Sequence, residues 1–155
     1  MLAIAESATF RFVTGETPIT ETGLMVKRLQ VRHHRTADAR LQRIGVSLVQ
    51  WDALRHLKEN PDASLHELAQ LTFQTDQSMG TLAARMQAAG LIERVPGPGR
   101  AVRHRLTRDG ERLQREGANI ARRTLEESFE PLTAEQLQAF DALLRIILGQ
   151  DAPQA

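Results

Sequence analysis

Apolar residues recur at helical steps over most of this chain and change to strand-like alternation in one place. From Thr20 or Thr22, each a candidate N-cap, the apolar positions Leu24, Met25, Leu29 and Val31 predict a helix to about Gln42. They thin into a basic, His-containing stretch before Leu41 and Ile44. Gly45 breaks that helix and Ser47 caps the next, in which Leu48, Trp51, Leu54 and Leu57 make a buried stripe ended by Asn60-Pro61. Ser64, with Glu67 placed to complete a capping box, opens a short helix whose inner face is Leu65, Leu68, Ala69 and Leu71. After a brief turn, Thr72–Gln74, Thr75 or Asp76 caps a helix that turns Met79, Leu82 and Met86 inward and stops at Gly90.

The alternation follows. Two strand candidates, Leu91–Val95 and Arg100–Leu106, flank Pro96-Gly97-Pro98-Gly99, a composition that reverses a chain. Alternation sets Val102, His104 and Leu106 on one face and Arg103 and Arg105 on the other. Thr107 then caps a long helix to about Phe129, with Leu113 and Ile120 on its buried side. Pro131 separates it from a last helix, opened by Thr133 with a second capping box to Gln136. Its stripe is Leu137, Phe140, Leu144 and Ile147, with Leu143 and Leu148 beside it. Residues 1–19, which include Phe10, Phe12, Val13 and Ile19, lack periodicity and read as an extended arm. The order predicts a mainly α protein with a small β-hairpin wing. A winged helix-turn-helix over 45–107 lies between long helices at 20–44 and 108–149, and 150–155 is a tail.

Composition narrows the chemistry. A chain of 155 residues, 41% hydrophobic, suits one domain with a real core. The absence of cysteine excludes disulfides, thiolate metal sites and thiol redox sensing. The stretch MLAIAESATF lacks the basic and long apolar regions of a signal peptide, and nothing approaches the roughly 18 apolar residues of a membrane span. A cytoplasmic protein without a membrane partner is expected. The net charge of +1 says little, but its distribution says more. Lys27 to Arg43 is basic, with Asp38 the lone acid; the hairpin and the segment through Arg123 are basic again; and the end of the chain is acidic. Such polarity fits a basic face for a polyanion.

Catalytic and metal chemistry find no footing in the pattern. His33 and His34 are adjacent, so on a helix they point about 100° apart, and His56, His66 and His104 show no ligand spacing. Gly-Pro-Gly-Arg lacks the Lys-Ser/Thr ending of a phosphate-binding loop. No cofactor, metal or enzymatic activity is expected.

The helix-turn-helix spacing points instead to nucleic acid. The second helix of such a pair enters the major groove by its first turns. Here its outward positions are Asp76, Gln77, Ser78, Thr81 and Arg85, and Gln and Ser are competent readers of base edges. Gly80 costs about 1 kcal/mol in a helix relative to Ala, which fits close approach of DNA or of a neighbouring helix. Arg94, Arg103 and Arg105 on the hairpin arms suit phosphate contacts.

The run Leu65-His66-Glu67-Leu68-Ala69, then Gly90-Leu91-Ile92-Glu93-Arg94, Arg100-Ala101-Val102 and Leu106-Thr107-Arg108-Asp109-Gly110 resembles the MarR family of bacterial transcriptional regulators over roughly 20–149. The wing with Leu106–Gly110 is its most specific part. The resemblance implies a homodimer joined by the N- and C-terminal helices, bound to double-stranded DNA at a pseudo-palindromic operator. It also implies that Arg100, matching the wing's arginine, enters the minor groove. Pro98 stands where that wing usually carries Asp, and the loop is shorter; Pro96 and Pro98 stiffen the tip instead. Repression relieved by a small aromatic effector is the family's usual mode, with His33, His34, Arg35 and Trp51 the candidates for binding it. Trp51 also fits the core stripe. The competing reading is a winged-helix protein-interaction module with a weakened DNA surface.

Overall fold

The computed structural model describes residues 18–97 and 102–150, so Pro98, Arg100 and residues 1–17 of the expected arm lie outside it. Helix α1 runs Ile19–Leu41, starting earlier than either threonine cap would allow. Pro18 is the N-cap, without a side-chain bond, and its carbonyl accepts from Glu21 and Thr22 N–H. A proline suits a helix entrance because its φ is already near the helical value.

Gln42–Ile44 tightens into a 3-10 turn, and Gly45, at φ 90°, ends it in the left-handed region. Helix α2, Leu48–Glu59, opens with a reciprocal cap: Gln50 N–H donates to Ser47 Oγ at 3.2 Å and Ser47 N–H to Gln50 Oε1 at 2.9 Å. Asp38 completes that end, its Oδ1 accepting from Leu48 N–H at 2.8 Å. The single acid in the basic stretch thus satisfies a free helix donor and ties α1 to α2.

Helices α3, Leu65–Leu71, and α4, Asp76–Ala88, form the helix-turn-helix. Ser64 and Glu67 make the expected capping box, and Thr75, not Asp76, caps α4 by accepting from Ser78 N–H at 3.1 Å. Leu71 departs from the expected inner face: the turn rotates it outward, leaving it 38% exposed. Gly90, at φ 70°, stops α4.

The hairpin pairs β1, Ile92–Pro96, with β2, Val102–Leu106, antiparallel, in a register that sets Arg94 opposite His104 and Glu93 opposite Arg105. The first strand is shifted by one residue from its expected limits, because Pro96 joins the ladder opposite Val102. Helix α5, Arg108–Phe129, follows at once. Thr107 fastens the junction, its hydroxyl donating to the Gly90 carbonyl at 2.6 Å and accepting from Gly110 N–H at 3.1 Å. A Cβ at Gly110 would collide with the Leu91 carbonyl, so only glycine lets α5 pass that close. Helix α6, Ala134–Leu148, opens on the Thr133–Gln136 capping box.

The core lies between α2, α4, the hairpin base and the first half of α5. Leu41, Val46, Leu54, Met79 and Met86 are its largest fully buried side chains. Trp51 belongs to it too: the indole lies against Gly117, where a Cβ would strike the ring, and its N–H donates to the Gln114 carbonyl at 3.1 Å. Helix α6 has no buried residue. It touches the rest through Phe140 and Leu144, with Phe140 5.9 Å from the Phe129 ring.

Candidate nucleic-acid interface

The apolar side of α4 is committed to the core through Met79, Ala83 and Met86, which forces the other side outward. Asp76, Gln77, Ser78, Thr81 and Arg85 are all exposed along it. Their freedom differs. The Asp76 carboxylate lies 2.9 Å from His66 Nδ1, and His66 Nε2 lies 3.2 Å from Gln70 Nε2, so this acid is held by α3. Ser78 Oγ accepts from the Thr75 hydroxyl at 2.9 Å, and the Thr81 hydroxyl donates to the Gln77 carbonyl at 3.0 Å. Gln77 and Arg85 have no side-chain partner among the described residues, which leaves their donors available to a ligand. Gly80 has open space where a Cβ would stand, so no neighbouring helix accounts for it.

The two faces of the hairpin divide the arginines. Arg94 shares the His104 face and overhangs α4, where it lines a shallow hollow with Gly80, Gln87 and Val102. His104 itself is 5% exposed, and burial, helped by the nearby Arg94 charge, pushes its pKa below the usual imidazole value. Arg103 and Arg105 stand on the opposite face. Arg105 is paired across the strands, its Nε 2.6 Å from Glu93 Oε1. Arg103 has no carboxylate within salt-bridge distance among the described residues, although its charge assists the Ser64 hydrogen bonds in holding Glu67 below the ordinary carboxylate range. Among the described residues, Arg94 and Arg103 are therefore the hairpin's available cations.

The effector candidates separate more sharply. A cavity of about 690 Å³ between α1, α5 and α6 is walled by Met25, Leu29, Phe129, Phe140 and Leu144, and both His33 and His34 line it. The His33 ring meets Phe129 edge-on at 5.4 Å, and its Nε2 lies 2.6 Å from Ser128 Oγ, to which Arg32 also donates at 2.8 Å. Burial, then the Arg32 charge, lowers the His33 pKa. Arg35 does not join this cavity; it is exposed on another side of α1, with Lys27, Arg28 and Arg32. Trp51 is in the core, not at the cavity. Nearness in sequence groups Arg35 with the histidines, but its position on α1 turns it to the side shared by Lys27 and Arg28.

The geometry defines a winged helix-turn-helix domain carried between helical flanks. Residues 44–101 match the model of the MarR family. The HTH-type transcriptional repressor Rv2887 of Mycobacterium tuberculosis is 30% identical over 115 residues, covering 73% of this chain and 82% of that protein. Its structure in complex with salicylic acid is 26% identical with a TM-score of 0.69, covering 85% of this chain and 97% of that one. Its complex with DNA gives 25% identity and the same TM-score of 0.69, over 85% and 98% of the two chains. The chain belongs to the MarR family.

Proposed function

We propose that this protein is a homodimeric transcriptional regulator that binds operator DNA, represses, and is released by a small aromatic effector. It acts by binding and not by catalysis, and it works in the cytoplasm. The observation that carries this reading is one surface. An α4 face bearing Gln77, Ser78, Thr81 and Arg85 stands beside a hairpin that offers Arg94 and Arg103. Gln77, Ser78 and Arg85 read base edges, Thr81 presents its methyl, and Arg94 and Arg103 neutralise phosphates. Arg100, which matches the family's wing arginine in sequence, enters the minor groove. Asp76 and Arg105 serve mainly within the protein, through His66 and Glu93.

The dimer is formed by the flanks. Ile19, Leu24 and Val26 of α1, and Leu143, Ile146 and Ile147 of α6, are apolar side chains left exposed among the described residues. A second copy related by a two-fold axis covers them and sets two half-sites about one helical turn apart. The effector enters the cavity beneath His33 and His34, its ring among Phe129, Phe140 and Leu144. The salicylic acid and DNA complexes of the mycobacterial relative support both halves of the reading.

Fluorescence anisotropy on genomic fragments enriched by the protein, across a salt series, tests it. Arg94→Ala and Arg103→Ala should each weaken binding on all sequences and lower the salt slope by about two, one lost phosphate contact in each subunit, whereas Arg85→Ala relaxes sequence preference. Salicylate should release the DNA from the wild type and not from His33→Leu. An intact dimer that prefers no fragment, with or without aromatic acids, would overturn the reading.

A further inference from the structure

The turn of the helix-turn-helix contains a residue that the fold does not need. Phe73 is the only non-glycine with a positive φ among the described residues, at 54°, and it is 98% exposed. Its setting is a Schellman stop to α3: Phe73 N–H donates to the Gln70 carbonyl at 3.2 Å and Gln74 N–H to the Ala69 carbonyl at 2.8 Å. The Thr72 hydroxyl adds a bond to the Leu68 carbonyl at 2.7 Å. Those bonds impose the left-handed conformation at Phe73, where glycine or asparagine sits without steric cost. The phenyl ring returns nothing to the interior, since it packs into no part of the core. A side chain that is costly to hold and unused by the described residues is accounted for by a contact outside the fold.

Its place says which contact. Phe73 precedes the α4 N-cap, Thr75, by two residues, which keeps the two Cα atoms within about 7.6 Å. Phe73 therefore lies next to the end of the helix that carries Gln77 and Ser78, at the border of the surface already assigned to DNA. Asp62 and Glu67 border the hollow beside the ring, together with Pro61, Ala63 and Leu71. These carboxylates offer phosphate no cation, so what this spot presents to DNA is the apolar ring itself. The apolar feature of a base edge in the major groove is the thymine methyl group.

We propose that Phe73 is a specificity-determining DNA contact, its ring packing on the C5-methyl of a thymine at the edge of the bases met by Gln77 and Ser78. This rests on the reading of the protein as a DNA-binding regulator. The test uses the full chain on its preferred fragment, with each thymine replaced in turn by deoxyuridine, for the wild type, Phe73→Asn and Phe73→Gly. Both variants accept the left-handed conformation, so their thermal midpoints should equal or exceed that of the wild type. The wild type should lose affinity about fourfold at one thymine per half-site, the worth of one buried methyl, with an unchanged salt slope. In both variants that loss should vanish, on a weaker overall affinity. Wild-type affinity in the variants would assign the ring to a protein surface and overturn the proposal, as would weakening with no dependence on any single methyl. A wild type that prefers no fragment would overturn the regulator reading and this contact together.

Discussion

Helix α2 and helix α6 carry the same kind of apolar stripe and meet opposite fates. In α2, Trp51, Ala53, Leu54 and Leu57 are all buried in the chain's own core, where α2 packs on α1, α3, α5 and β2. In α6, Leu143, Ile146 and Ile147 are 58%, 75% and 77% exposed. Apolar side chains gain free energy by leaving water, whichever chain supplies the cover. A stripe therefore specifies that a face is to be buried and leaves open by what. The contrast between the two helices marks where this molecule stops being self-sufficient and where, on the proposed reading, its second copy begins.

The sharpest way to break that comparison is to damage each stripe. Leu54→Ala opens a cavity in the core and should lower unfolding free energy by about 2–5 kcal/mol in a denaturant titration. Ile147→Asp should leave the winged domain folded by circular dichroism, yet yield monomers in sedimentation velocity. Its DNA affinity should fall at least a hundredfold, because two half-sites are no longer engaged together. An Ile147→Asp protein that stays dimeric would move the interface away from α6.

Two glycines sharpen the same lesson on a smaller scale. Gly110→Ala drives a methyl into the Leu91 carbonyl at the junction that positions the wing, and should cost about 1–3 kcal/mol or more. Gly80→Ala meets open space and should raise stability by about 1 kcal/mol. If DNA backbone approaches Gly80, the same variant binds its operator more weakly; equal affinity would leave that glycine without a role in docking. Anisotropy beside a denaturant titration reads both effects.

The smallest expected effect is on acid stability. His104 and His33 are held below the ordinary imidazole value by burial, with Arg94 and Arg32 adding to it. Between their folded pKa values and about 6.5, the unfolded chain binds more protons than the folded one. Stability is thus complete above that window, falls as pH drops through it, and levels off below. Denaturant titrations at about pH 7.5 and about pH 5.5 should show the loss. His104→Leu, which keeps the site apolar, should reduce it, whereas an unaltered difference would place the acid sensitivity elsewhere.

Much of the molecule was legible because its signals are local. Ser47, Ser64, Thr75, Thr107 and Thr133 all cap helices, since an N-cap needs only a short polar side chain and the donors that follow it within a turn. The outward face of α4 was legible for the same reason: Met79 and Met86 fix which side is inward. The entrance of α1 was misread because Pro18 acts through its fixed φ and its carbonyl, without a side-chain bond. Arg105 and Asp76 read as free recognition charges, and only the folded chain brings Glu93 and His66 against them.

The sequence by itself determined the order of elements, the helix-turn-helix, the charged hairpin and the family, because each is written in spacings of a few residues. The tertiary structure decided the rest. It made Asp38 a cap for α2, laid the Trp51 indole against Gly117, and closed the cavity that His33 and His34 line between α1, α5 and α6. These outcomes depend on which distant segments lie side by side, and a helix or turn signal carries no information about its neighbour across the fold.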